Sequence, residues 1–250
     1  MRTFTILGIF AMTLMNISCH QNEDLIELCG YIDEGKAGMV EVKISQNENL
    51  VNSYYIDRDK DILYNPIRFA IGSGRRDMFE LLIKHGADLN LRFQDGKDDV
   101  FIIFYCGLTN DDYFVKRFNQ LGAKMYVTNK YGDGIMQYTA INGNLQIFKY
   151  LEKIIGDVAE IKNLNNKNSI IFNASRSGNV EFVKYILENG YNFSALDEMG
   201  NNVLEKLLIE GPVPAGTIEI FKYIMMYNKT LQENKMIFRE AIRKYYKNSS

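Results

Sequence analysis

Apolar residues between positions 65 and 227 come in short bursts at helical spacing, four of them closed by glycine and a polar stretch. Met78-Phe79-Glu80-Leu81-Leu82-Ile83, Phe114-Val115-Lys116-Arg117-Phe118, Ile147-Phe148-Lys149-Tyr150-Leu151, Phe182-Val183-Lys184-Tyr185-Ile186-Leu187 and Ile220-Phe221-Lys222-Tyr223-Ile224 are five versions of one pattern. Apolar residues one, three and four apart lie on one face of a helix, so each burst predicts an amphipathic helix. The glycines that close four of them, Gly86, Gly122, Gly156 and Gly190, are spaced 36, 34 and 34 residues. Ahead of most bursts lies a shorter apolar run carrying a small residue, Ala70, Ala140 or Ala174, and then Gly74, Gly143 or Gly178. The unit is therefore a pair of helices joined by a glycine turn. Such a pair cannot bury its apolar face alone, so successive pairs must stack. The expected fold is all-α, a solenoid of about five helix-turn-helix repeats.

The residues at the recurring positions have physical reasons to be there. Glycine just past a helix adopts the left-handed conformation without a Cβ penalty. Alanine lets the first helix of a pair approach its neighbour closely. Pro66 belongs to the first turn of its helix, where a missing N–H costs nothing. The clearest unit, Asn65-Pro66-Ile67-Arg68-Phe69-Ala70-Ile71 through Leu81-Leu82-Ile83-Lys84-His85-Gly86-Ala87-Asp88-Leu89-Asn90, resembles the ankyrin repeat over its full length. The copies are degenerate: the second has about two extra residues near Thr109 to Asp112, and the fifth inserts residues 211–216 between its helices. The resulting boundaries are residues 24–56 for an N-terminal cap or diverged repeat and 57–229 for the repeats, with 230–250 forming a capping helix and tail. Within the cap, helices are expected near Leu25 to Ile32 and Met39 to Ile44, although Val40, Val42 and Ile44 also alternate as a strand would.

The first residues read differently. Arg2 is followed by a nearly uncharged apolar run from Phe4 to Met15, which would rise only about 18 Å as a helix and cannot span a bilayer. Residues 1–18 fit a secretory signal. The junction Ser18-Cys19 and the polar residues after it (spacer 19–23) resemble a bacterial lipoprotein signal, in which Cys19 would carry the lipid and become the new N-terminus. Asn16 stands where such signals usually carry leucine. The alternative is ordinary cleavage nearby. The lipoprotein resemblance implies secretion across the inner membrane and anchoring to the bacterial envelope, on its periplasmic or outer-membrane face, with the membrane contacted through the lipid only.

Composition narrows the chemistry. Apolar residues make up 46% and charged residues 24%, an ordinary globular balance, and the net charge of −2 offers no field for a phosphate backbone, so no nucleic acid is expected as partner. With lipid on Cys19, only Cys29 and Cys106 remain. Lying 77 positions apart, they make neither a disulfide framework nor a zinc site. There are two histidines, His20 beside the lipid site and His85 before a helix-ending glycine, so neither a Ser-His-Asp nor a Cys-His device can be assembled. Gly72-Ser73-Gly74-Arg75-Arg76 imitates a phosphate loop but lacks its lysine and falls on an inter-helix turn. Asp98-Asp99 and Asp111-Asp112 read as solvated turn acids. No catalytic residue, metal or cofactor is expected.

The ankyrin resemblance implies a protein partner, held by the concave surface of hairpin tips and inner helices. The positions carried over are Asp61, Tyr64, Ser73, Asp95, Asp98, Lys130, Tyr131, Asp133, Asn165, Asn168, Arg176, Glu198 and Met199, with Tyr64 and Tyr131 as the favoured anchors. An immunity or inhibitor protein, or an adaptor, would fit this description. The other readings are an enzyme on an ankyrin scaffold and a purely structural spacer.

Overall fold

The computed structural model describes residues 22–95, 98–156, 169–209 and 216–227, without the side chains of 95, 98, 208, 209 and 227. The expected signal segment with Cys19, residues 211–215 of the 211–216 insertion and the expected C-terminal capping helix lie outside the described residues. The chain divides into two compact units at the Ile102–Ile103 bond.

The first unit opens with helix α1 (residues 22–34), which turns back through Gly35 into α2 (Ala37–Gln46). Leu25, Leu28, Cys29 and Ile32 form the buried stripe of α1, and Val40 and Ile44 that of α2. The strand alternative for 39–44 fails here: Val40 and Ile44 share one helical face inward, while Val42 points out and is 50% exposed. Lys43 ties the two helices together, 2.8 Å from Asp24 and in contact with Glu27. A 3-10 turn (Glu48–Asn52) leads into a hairpin of β1 (Tyr55–Asp57) and β2 (Ile62–Tyr64), then α3 (Pro66–Gly72) and α4 (Arg76–Lys84). Pro66 is at the first turn of α3 as expected, and the fully buried Asn65 caps it. The Asn65 carboxamide accepts from the Arg68 N–H at 3.0 Å and donates to the Ser53 carbonyl at 3.0 Å. A second hairpin, β3 (Arg92–Asp95) with β4 (Asp98–Phe101), closes the unit.

Among the described residues the second unit holds four helix pairs: α5 (Phe104–Gly107) with α6 (Asp112–Gln120), α7 (Ile135–Asn142) with α8 (Leu145–Ile155), α9 (Ile170–Arg176) with α10 (Val180–Glu188), and α11 (Val203–Ile209) with α12 (Thr217–Tyr227). The inner helices stack in order, α7 against both α5 and α9, and α9 against α11. Small residues make this possible, since Ala140 and Ala174 are wholly buried. In the second repeat Gly107 does the same work, for a Cβ built on it would lie 2.9 Å from the Thr139 hydroxyl and 3.0 Å from the Ile135 carbonyl. The extra residues of that repeat are absorbed by shortening α5 to four residues and closing the corner with Thr109, which accepts from the Asp111 N–H at 3.3 Å.

The helix-ending glycines behave as the pattern requires. Gly86, Gly122, Gly156 and Gly190 have φ of 82°, 76°, 82° and 77°, and the turn glycines Gly74, Gly143 and Gly178 have 68°, 74° and 73°. Asparagine does the capping in alternate roles. Asn179 accepts from the Phe182 N–H at 3.1 Å while donating to the Gly143 carbonyl of the preceding repeat at 2.8 Å. The fold is thus all-α, built of stacked helix pairs, with short antiparallel hairpins as the only strands among the described residues.

Candidate functional site

Two tips of the second unit share one construction. In the hairpin before α7, the Asn129 side chain accepts the N–H groups of Tyr131 and Asp133, each at 2.9 Å, and the Asn129 N–H donates to the Asp133 carbonyl. In the hairpin before α11, Asp197 accepts from Met199 at 2.9 Å and Asn201 at 2.8 Å, and its N–H donates to the Asn201 carbonyl. Gly132 and Gly200, at φ 84° and 78°, complete the turns. Each turn is pinned from within by a residue that faces inward, so the side chains between are fixed in place and pushed outward. Those side chains are Lys130 and Tyr131 in one tip and Glu198 and Met199 in the other.

Tyr131 is 45% exposed and Met199 84%. The Lys130 ammonium stands 4.7 Å from the centre of the Tyr131 ring, a cation–π pair that orders both side chains. Two further apolar side chains were not expected from the sequence. Tyr126, before the first tip, is 48% exposed, and Leu196, beside the second, is 46% exposed. Alignment on Asn129 and Asp197 could have flagged Leu196, which directly precedes the pinning residue; nothing in the pattern singles out Tyr126. Asp197 is buried and holds Lys206 at 3.3 Å. Burial opposes its charge, yet the hydrogen bonds from Asn201, Met199 and Lys206 outweigh that and hold its carboxyl down at about 2.

The other expected positions are scattered. Tyr64 is a correction: it is only 8% exposed, with its ring between Tyr55 at 6.2 Å and Phe69 at 5.5 Å, so it is core and not a contact residue. Its inward turn follows from pairing opposite Tyr55 in a three-residue ladder that packs on α3. Asp61 is exposed at the β1–β2 turn with φ 54°. Ser73 is exposed, but its hydroxyl is committed to the Phe69 carbonyl at 2.7 Å. Asp95 and Asp98 face each other at the end of the β3–β4 register, with side chains outside the described residues, as are Asn165 and Asn168 altogether. Asp133 is half-buried within its tip, and Arg176 is exposed in the last turn of α9, beside the Gly178 turn.

The other chemistry read from the sequence takes structural places. His85 is the exposed C-cap of α4, and residues 72–76 span the end of α3, the turn and the start of α4. Cys29 and Cys106 are buried free thiols, and burial pushes both well above the ordinary thiol range. No cluster of three or more metal-ligating side chains exists among the described residues.

Residues 103–197 match the family model for ankyrin repeats, in three copies. An ankyrin repeat-containing protein of Schizosaccharomyces pombe is 32% identical over 89 residues, which is 35% of this chain and 41% of that protein. The matched part spans about two-fifths of the relative's length, and the tips at Tyr131 and Met199 sit on the scaffold that these copies form or adjoin. Residues 103–197 are ankyrin repeats, and ankyrin repeats indicate a module for protein–protein interaction.

Proposed function

We propose that the chain is a non-catalytic protein-binding module of the bacterial envelope, held to the membrane by lipid on Cys19 and meeting its partner through the tips of its second unit. One observation carries the binding reading: two hairpins with the same internal pinning present Tyr131 and Met199, a large ring and a flexible thioether, as exposed apolar side chains on rigid turns. A folded protein gains nothing from leaving such residues out, whereas a partner can bury them at little entropic cost because the backbone is already ordered. The envelope reading rests on the sequence alone, on the apolar run Phe4 to Met15 and the Ser18-Cys19 junction. An immunity or inhibitor protein that neutralises a toxin, or an adaptor for an envelope enzyme, is the role we favour.

The test uses the full chain as bait beside a Lys130→Ala/Tyr131→Ala/Met199→Ala variant. Exposed substitutions cost less than about 0.5 kcal/mol each, so the variant should melt close to wild type. Its affinity for the captured partner should fall by on the order of 2 kcal/mol. Unchanged affinity would remove the tips from the interface. For the anchor, metabolic labelling with a palmitate analogue should mark the wild type and leave Cys19→Ala unmarked; equal labelling would end the lipoprotein reading.

A further inference from the structure

Helix α2 carries two exposed apolar side chains at positions that later repeats bury or half-bury. Counted from the glycine that turns each helix pair, Gly35, Gly74, Gly143 or Gly178, Met39 falls where later repeats have Met78, Ile147 and Phe182. Val42 falls where they have Leu81, Tyr150 and Tyr185. Both positions look back toward the preceding repeat. Phe182 packs on Phe148 of α8 at 4.8 Å. The Tyr150 hydroxyl accepts from the Asn119 carboxamide of α6 at 3.0 Å. Tyr185 donates to Glu152 of α8, and the Lys149 ammonium stands 4.5 Å from its ring centre. Met78, Ile147 and Phe182 are accordingly buried, whereas Met39 is 44% and Val42 50% exposed. Lys43 takes the place of the wholly buried Leu82, Leu151 and Ile186, and is held by Asp24 and Glu27. A charged side chain there leaves no seat for a further repeat. The first helix pair therefore ends the array among the described residues, with an outward face that is charged beside Lys43 and apolar along α2.

Resting on the Cys19 reading above, we infer that this outward face is seated on the phospholipid surface that anchors the chain, with Met39 and Val42 entering the headgroup region. The tether selects the occupant. From Cys19 to the start of α1 at residue 22 is three residue steps, which span at most about 11 Å. A lipid on Cys19 thus holds α1 against the bilayer, the nearest medium in which two apolar side chains can be buried. Tyr31, half-buried on α1 and bonded to Glu27, has the ring and polar tip that suit such an interface. Charge narrows the lipid. Residues 22–46 carry six carboxylates and two lysines, so the seat fits zwitterionic headgroups and is opposed by anionic ones. The same acids oppose a second copy set face to face, which would bring like charges together.

The test places an environment-sensitive fluorophore on Met39→Cys, on Val42→Cys and, as control, on His85→Cys, the exposed C-cap of α4 on the next helix pair. Cys29 and Cys106 are buried and stay unlabelled. Each acylated full chain is reconstituted in phosphatidylcholine vesicles containing a nitroxide-bearing lipid. The probes at 39 and 42 should be quenched severalfold more than the probe at 85, and part replacement by phosphatidylglycerol should lower that quenching. If one variant fails to fold by circular dichroism, the other carries the test. Equal quenching at all three sites, or a rise with phosphatidylglycerol, would overturn the inference. So would shielding of the 39 and 42 probes without vesicles in a chain that sediments as a dimer. Failure of the lipid reading shows separately, as a wild type that takes up no palmitate analogue. The same probes then go on a chain with a hexahistidine stretch in place of residues 1–19, held on nickel-chelating lipid. The same contrast there upholds the seat on a bilayer, and its absence ends it.

Discussion

Ser175 sits one residue after Ala174 on α9, wholly buried, and its hydroxyl has no hydrogen-bond partner. The equivalent position of the previous repeat is Ala140, also wholly buried. A buried hydroxyl without a partner keeps its desolvation cost and returns nothing, while alanine is the better helix former. Ser175→Ala should therefore stabilise the second unit, by roughly 1 kcal/mol, and raise its thermal midpoint by a few degrees. A lower midpoint would mean that the hydroxyl is satisfied after all. At this scale sequence reading succeeded where one residue has one job. Pro66, Gly143 and Ala174 could be placed from local rules about φ, caps and size. It failed at Tyr64, because a tyrosine in a three-residue strand can face either way. What decided the matter was a neighbour on α3, Phe69, whose position no local rule supplies.

Hairpins are the elements whose order carries the proposed function, and the pair at Asn129 and Asp197 allows a direct comparison. Asparagine pins one turn and aspartate the other with the same backbone hydrogen bonds, so Asp197→Asn keeps the turn but loses the charge that holds Lys206. The folded carboxyl of Asp197 lies near 2, below its ordinary 3.8. A carboxyl depressed by folding stabilises the native state fully above its unfolded value, and that contribution is lost as pH falls toward the folded value. Wild type should thus melt above Asp197→Asn at pH 7, and the gap should close between about pH 4 and pH 2. A gap that stays constant with pH would assign the effect to geometry and not to charge. Part of this element was legible beforehand: the polar tips Lys130, Tyr131 and Met199 follow from the repeat register. The inward residue that fixes them was not, since Asn129 and Asp197 look like any other turn polar residue until their acceptors are seen.

The chain forms two compact units, and among the described residues each holds one buried cysteine: Cys29 in the first, Cys106 in the second. Stacked repeats draw their stability from nearest neighbours, so damage at a stacking contact should spread through the pairs that depend on it. Ala174 is such a contact, wholly buried on α9, the helix that packs against both α7 and α11. Ala174→Asp buries a charge with no partner, which costs far more than a single repeat can offset. The second unit should unfold, and Cys106, enclosed there by α5 and its neighbours, should become reactive. The measurement is thiol titration in a Cys19→Ser background, with circular dichroism alongside. In wild type both thiols should resist the reagent, because each is buried and held protonated. In Ala174→Asp, Cys106 should react at the rate of a free thiol while helical signal drops. Cys29 should lag behind it, since its surroundings, Leu25, Leu28 and Ile32 among them, belong to the first unit. If Cys106 stays protected, the stacking contact at Ala174 is not what holds the second unit together; if both thiols react in step, the two units melt as one.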